Sequence, residues 1–166
     1  MSLTLVGLDL TAGLLFLFRR PPEKNAGLRD TLLCLGSVIL GGWALALAPA
    51  YDTWPAPASW LFAAAGVTAI VSLVGLGRSF AVLPSLRSVV DRGPYRVVRH
   101  PAYAAESLMV LASILARPTV EASLVAVVAI ALVVVRIRVE ERFLGESPAY
   151  RAYRSRVRYR LLPGIW

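Results

Sequence analysis

Residues 93–106, GPYRVVRHPAYAAE, run an arginine-rich loop straight into an apolar helix. They hold the only histidine of the chain, His100, with Tyr95, Arg96, Arg99 and Tyr103 around it. Glu106 follows one helical turn inside the apolar run. Ionisable groups at membrane depth are costly to desolvate, so such groups are functional candidates by default. A second cluster, Arg136 and Glu140, has i, i+4 spacing, which places both on one helix face, with Glu141 beside them. A third is the C-terminal tail, where Tyr150 and Tyr153 alternate with arginines. Brought together, these clusters form a pocket with both signs of charge and aromatic walls. It would suit a water-soluble cofactor arriving from the cytosol and an apolar substrate arriving from the bilayer.

Each group also has a plainer reading. Arginines at a cytosolic helix end serve topology and headgroup anchoring. Arg136 with Glu140 fits a surface pair worth a few tenths of a kcal/mol. Glu140-Glu141 balances an arginine-rich layer, and a lone interfacial His100 is often structural. Asp9 and Glu121, near the outer ends of their apolar runs, read as boundary residues. Glu106 reads as pairing with a loop arginine or facing a wet cavity, with catalysis as the alternative. One histidine and no thiol cluster cannot make a transition-metal shell, so no metal site is expected. Gly75, Gly77 and Gly93 lack the strand context of a phosphate loop. Hydrolysis by Ser, His and Asp lacks any local signature. Cys34, inside an apolar run, reads as a small packed side chain, and a single cysteine excludes an internal disulfide.

The elements that must position these groups follow from hydropathy. Of 166 residues, 57% are hydrophobic and 17% charged, less charge than a soluble domain of this size carries. An open sheet cannot satisfy its backbone in lipid, and the apolar runs lack the alternation of a barrel. The expectation is one all-α integral membrane domain, residues 1–166. The net charge of +8 would fit nucleic acid, but the charges sit at the ends of apolar runs, as membrane topology requires. The N-terminus has no basic region before its apolar run and does not read as a cleaved signal. Arginine far outnumbers lysine, as in a GC-rich bacterium.

The first apolar run spans 3–18, is interrupted by Asp9 and stops at Arg19-Arg20-Pro21-Pro22. Runs at 31–48 and 58–76 are uncharged and close to the roughly 20 residues that cross hydrocarbon. Together these make three N-terminal spans in residues 1–76. Residues 77–100 form a polar loop too long for a simple connection. Residues 101–116 and 119–138 form a helical hairpin with Arg117-Pro118 at its turn, the first arm reaching only about 24 Å. Antiparallel arms would put His100 and Tyr103 beside Arg136 and Glu140. Ser147-Pro148 starts an amphipathic tail helix, with Tyr150, Tyr153, Val157 and Leu161 on one side and Arg151, Arg154 and Arg158 on the next. Such a helix lies on an anionic membrane face or caps a polar cavity.

Charge bias gives an orientation. The loop after the first run holds Arg19, Arg20, Lys24 and Arg29. The loop after the third holds Arg78, Arg87, Arg92, Arg96 and Arg99, and the tail has eight arginines from Arg136 onward. The other two loops hold only Arg117. The positive-inside rule then predicts five spans, the N-terminus outside, and the C-terminus with all three clusters in the cytosol, in a bacterial inner membrane.

The string GRSFAVLPSLRSVVDRGPYRVVRHPAYAAE, followed by RIRVEERFLGESPAYRAYRSRVRYRLLP, resembles the isoprenylcysteine carboxyl methyltransferase family, in particular its bacterial and archaeal members, and the related phospholipid N-methyltransferases. The shared motifs are G-P-Y, R-H-P-x-Y, E-E on the following helix, Y-x-x-Y and a final Pro, over residues 75–163. The resemblance implies a membrane-embedded methyltransferase that uses S-adenosyl-L-methionine without a Rossmann domain. It implies cofactor binding by Arg99, His100, Pro101 and Tyr103, enclosure by Tyr95, backbone contacts from Val89 and Val90, and acidic ligands at Glu140 and Glu141. Arg136 and Glu140 match the catalytic positions, Arg136 on the side of the acceptor. Ala105 stands where a glycine is common, and the loop from Glu141 to Tyr150 is shorter than in eukaryotic members. The implied substrate is a lipophilic small molecule or lipid from the bilayer, methylated on a carboxylate or an amine. An amine acceptor needs a base, for which Glu106, Glu141 or a tyrosine are candidates. Two other readings stay open: an NADPH-dependent reductase of the sterol-reductase type, and a non-catalytic membrane binding module.

Overall fold

The structure, a computed structural model, describes residues 3–18, 27–79 and 89–166. Arg19, Arg20, Pro21, Pro22, Lys24 and Arg87, the last within residues 80–88 of the loop after the third run, lie outside the described residues, as does the Arg78 side chain. Among the described residues the regular elements are helices: α1 Leu3–Phe18, α2 Leu28–Ala46, α3 Ala56–Leu76, α4 Pro101–Ala116, α5 Val120–Leu144 and α6 Pro148–Arg156. Three-residue-per-turn helices at Tyr51–Thr53, Gly77–Ser79 and Gly93–Arg96 join them. The described residues contain no strand, only an isolated parallel bridge between Val98 and Tyr159.

The ends of the helices follow local chemistry. Gly77 takes φ 50° and its N–H closes on the Leu73 carbonyl, ending α3 in a conformation that glycine adopts without steric cost. Pro101 occupies the first turn of α4, where its missing N–H costs nothing. The Thr119 side chain accepts from the Ala122 N–H and caps α5. The second arm of the hairpin does not end at residue 138 but runs on to Leu144, 25 residues or about 37 Å. Loss of hydropathy does not stop a helix: Arg138, Glu140, Glu141 and Arg142 are good helix formers, and the chain leaves the helix only near Gly145. The tail helix is shorter than its spacing suggests. It ends at Arg156, so Val157, Arg158 and Leu161 lie beyond it.

The helices α2, α3 and α5 are long and apolar enough to cross a membrane, whereas α1 and α4 have 16 residues each. Their surfaces are inverted relative to a soluble bundle. Leu10, Leu17, Ile39, Trp60, Val67, Val74, Leu115, Leu124 and Val127 are exposed. The interior is built from small residues, Ala44, Ala58, Ala65, Ala105, Ala112, Ala126 and Ala129, which allow the close backbone approach that helix association in lipid relies on. Cys34 is fully buried among them. Buried hydroxyls bond within their own helices: Ser37 Oγ donates to the Cys34 carbonyl and Ser113 Oγ to the Val110 carbonyl, each at 2.7 Å.

Packing pairs α3 with α4 and α1, and α2 with α5. The two hairpin arms touch each other less than each touches its other neighbour. Thr4 rests on Gly66 and Gly7 stands beside Ile70, so α1 and α3 run parallel. Gly36 meets Leu132, and Arg142 reaches Asp30 at 2.7 Å, so α2 and α5 run antiparallel. The Arg142 side chain is 70% exposed, and an exposed pair contributes little. Arg142→Ala is expected to cost no more than about 1 kcal/mol by thermal unfolding in detergent; a larger loss would mean that this pair clamps the two helices.

Candidate active site

The tail folds back onto the start of α4. The Arg99 N–H donates to the Tyr159 carbonyl and the His100 N–H to the Arg160 carbonyl, both at 2.9 Å. The Arg99 guanidinium spends itself on the same segment: Nη1 donates to the carbonyls of Val157 and Arg158 at 2.7 Å, and Nε donates to Glu141 Oε1 at 2.6 Å. Glu141 also takes Arg160 Nε on Oε2 at 2.8 Å and lies 3.3 Å from His100 Nε2. Arg99 and Glu141 are 6% and 5% exposed. One carboxylate at the end of α5 therefore bolts together α4, α5 and the tail. Beside it Tyr150, Tyr153 and Val157 form a small apolar cluster under Val89 and Leu144.

Glu140, one residue earlier, is rotated about 100° around α5 and points elsewhere. Its Oε2 accepts from the Tyr103 hydroxyl at 2.6 Å. The Tyr103 ring stacks on His100, with centroids 5.5 Å apart and planes 11° from parallel. On its other neighbour, the Arg136 guanidinium carbon sits 4.7 Å from the Tyr103 centroid, within cation–π range. Arg136 Nη1 also donates to Ser37 Oγ at 3.3 Å. The i, i+4 spacing of Arg136 and Glu140 thus puts both on the face that meets Tyr103.

These groups open onto a cavity of about 380 Å³, within the range of small-molecule sites. Val89, Val90, Tyr95, Arg99, His100, Tyr103, Arg136 and Glu140 line it, Val89 and Val90 being residues that only the family resemblance had pointed to. Pro101 and Glu141 do not line it: Pro101 is buried in the first turn of α4, and Glu141 is turned into the tail. Ala105 is fully buried, so α4 packs closely without a glycine there. Deeper walls come from Leu8, Asp9, Ala12, Gly41, Leu73 and Met109.

Asp9 is therefore not merely a boundary residue. It faces the same cavity as His100 because α1 lies parallel to α3, in register with the half of α3 that lines the site. The interruption of an apolar run by a single acid was its signal. The tail tyrosines are also wall residues. Burial pushes the Tyr95 and Tyr150 phenols above their ordinary range and the Tyr153 phenol up to about 12, so all three keep their protons at neutral pH. Tyr153 donates to the Tyr95 carbonyl at 2.8 Å. Tyr150, 4% exposed, has a buried hydroxyl with no hydrogen-bond partner among the described residues. An orphaned hydroxyl in a cavity wall suits a bound molecule that completes it.

The site thus holds a cavity walled by His100, Tyr103, Tyr150 and Glu140 at one end, with aliphatic walls elsewhere that are interrupted by Asp9, Glu106 and Arg136. Residues 57–151, more than half of the chain, match the phospholipid methyltransferase (PEMT) family. The matched stretch starts at the beginning of α3 and stops in α6. No curated protein matches the chain.

Proposed function

The chain belongs to the phospholipid methyltransferase family, and from that premise we propose that it transfers a methyl group from S-adenosyl-L-methionine to a lipophilic acceptor at the cavity between α4 and α5. The observation that carries this reading is the Glu140–Tyr103–His100 array: a carboxylate held by a phenol that is stacked on an imidazole, facing a cavity in which a buried Tyr150 hydroxyl lacks a partner. A carboxylate suits the amino and ribose hydroxyl donors of the methyl donor. Tyr150 and Tyr95 suit its enclosure, and Val89 and Val90 supply wall from the loop. The bound donor supplies an activated methyl group on a sulfonium. The protein's own work is to hold the acceptor in line with that methyl and to exclude water.

In this reading the five apolar helices are five spans of one membrane domain. Residues 1–76 supply three of them. Residues 77–166 supply the cofactor loop, the hairpin and the capping tail. The alternating helix directions support that arrangement, and the arginine bias supports an outside N-terminus and a cytosolic site in a bacterial inner membrane. The lipophilic acceptor reaches the site from the bilayer. The cavity's apolar walls on α1 and α2 suit that route, because those two helices flank it while packing mainly on other partners.

Calorimetry on the purified protein in detergent tests the donor. Micromolar binding of S-adenosyl-L-methionine or its demethylated product is expected, and no binding of NADPH. The reverse pattern would replace the methyltransferase reading with a reductase.

A further inference from the structure

We infer that the outer surface of the C-terminal tail, with the loop that runs beside it, docks onto the anionic headgroup layer of the surrounding membrane, and that the docked bilayer holds the tail against the site. This adds an interaction surface and its partner. It rests on the membrane placement given above, not on the reaction that the cavity performs.

Two segments make the surface. Asp91 pairs with Arg156 at 3.0 Å and Val98 bridges Tyr159, so residues 91–98 run along the tail. The Arg99 and His100 N–H groups donate to tail carbonyls immediately before α4 begins at Pro101. The tail therefore sits at the end of that helix, which is headgroup depth where α4 spans. Val97, Tyr159 and Leu162 are exposed, and Ile165 is 78% exposed. Leu162 and Ile165 belong to a fixed turn. The Arg160 and Leu161 N–H groups donate to the Trp166 carbonyl at 2.7 and 3.1 Å, and Gly164 takes φ 83°. The Arg160 guanidinium carbon lies 4.9 Å from the Trp166 ring centroid, and its Nε is held by Glu141. The turn is thus preformed and anchored to α5, with two aliphatic side chains on its outside.

Charge identifies the partner. Arg92, Arg96, Arg154 and Arg158 are exposed, and none has a side-chain partner among the described residues. The acids that touch these segments are spent, Asp91 on Arg156 and Glu141 on Arg99, His100 and Arg160. Uncompensated guanidiniums beside exposed aliphatic side chains fit an anionic sheet with an apolar layer beneath it. The arginine stems lie along that layer while their heads meet phosphate. A nucleic acid would answer the charge and leave Val97, Leu162 and Ile165 in water. An apolar protein groove would answer those three and leave the charge. On the inner side of the tail, Tyr150 and Tyr153 line the cavity, and the Tyr153 hydroxyl donates to the Tyr95 carbonyl. A bilayer that holds residues 154–166 inward therefore supports the tyrosine wall.

Hydrogen exchange read by mass spectrometry on the full chain in lipid nanodiscs tests this. Discs of phosphatidylcholine alone are compared with discs in which phosphatidylglycerol replaces part of it. Exchange across residues 150–161 is expected to slow by at least about tenfold with the anionic lipid, since each basic residue at such a surface contributes about fivefold. The difference is expected to shrink in concentrated salt. Arg154→Gln combined with Arg158→Gln alters no cavity residue and is expected to remove most of the difference, with exchange in phosphatidylcholine unchanged. Leu162→Ser combined with Ile165→Ser keeps every charge and is expected to remove part of it. Equal tail exchange in the two discs, or a full difference in the double arginine variant, would overturn the assignment. So would protection by added RNA in neutral discs without protection by anionic lipid, which would give the surface to nucleic acid. A chain that stays in solution without detergent and enters neither disc would instead remove the membrane placement beneath it.

Discussion

Glu141→Ala is expected to destabilise the protein by about 3–5 kcal/mol, the cost of removing one partner from a buried ionic network. The carboxylate is the single acceptor shared by Arg99, Arg160 and His100. Without it the Arg99 guanidinium stays 6% exposed with two backbone carbonyls and no counter-charge. The loss is expected first in the tail, since Arg99 and Glu141 reinforce the two backbone hydrogen bonds that join Tyr159 and Arg160 to the start of α4. Limited proteolysis should then cut after the tail arginines before any cut within α2 or α5, and the thermal midpoint in detergent should fall. Arg160→Ala removes a partner whose side chain is 31% exposed and leaves the Arg99–Glu141 pair intact, so its effect should be much smaller. Equal losses in the two variants would show that the network is not centred on Glu141.

The parts of this fold that were legible in sequence are those written in hydropathy and punctuation. The helix α4 runs over 101–116 as its apolar run does, because Pro101 opens it and Arg117-Pro118 follows it, and the described part of α1 covers the first apolar run, 3–18. The convergence of His100, Tyr103, Arg136 and Glu140 was legible from i, i+4 spacing and from a short turn at Arg117-Pro118. Three features were not. The end of α5 was hidden because helix propensity continues through Arg138–Arg142 after hydropathy fails. The division of labour between Glu140 and Glu141 depends on where the tail returns, and that return is fixed by backbone pairing of Arg99 and His100 with Tyr159 and Arg160, which leaves no periodic trace. The place of Asp9 depends on the register of α1 on α3, set by Thr4 on Gly66. Small-residue contacts of this kind specify register between helices without marking the sequence with any hydrophobic period.

The two adjacent acids should separate cleanly by experiment, because α5 turns them to different tasks. Glu140 is partly exposed to the cavity and takes no part in the buried network, so Glu140→Ala is expected to leave the thermal midpoint nearly unchanged. It removes the one carboxylate that the Tyr103 hydroxyl supports in the cavity wall. A hydrogen bond to a charged group contributes about 1.5–3 kcal/mol, so affinity for S-adenosyl-L-methionine should weaken by roughly 10- to 100-fold in calorimetry. Tyr103→Phe keeps the carboxylate and the ring that stacks on His100, and loses only the 2.6 Å support. Its affinity should fall less than that of Glu140→Ala, and combining the two should cost less than their sum, since both act on one contact. Glu141→Ala, measured below its unfolding temperature, should shift stability before affinity. Were Glu140→Ala to lower the thermal midpoint markedly while binding the donor normally below it, the carboxylate would be a strut between α4 and α5, and the donor would have to be held from the loop and tail alone.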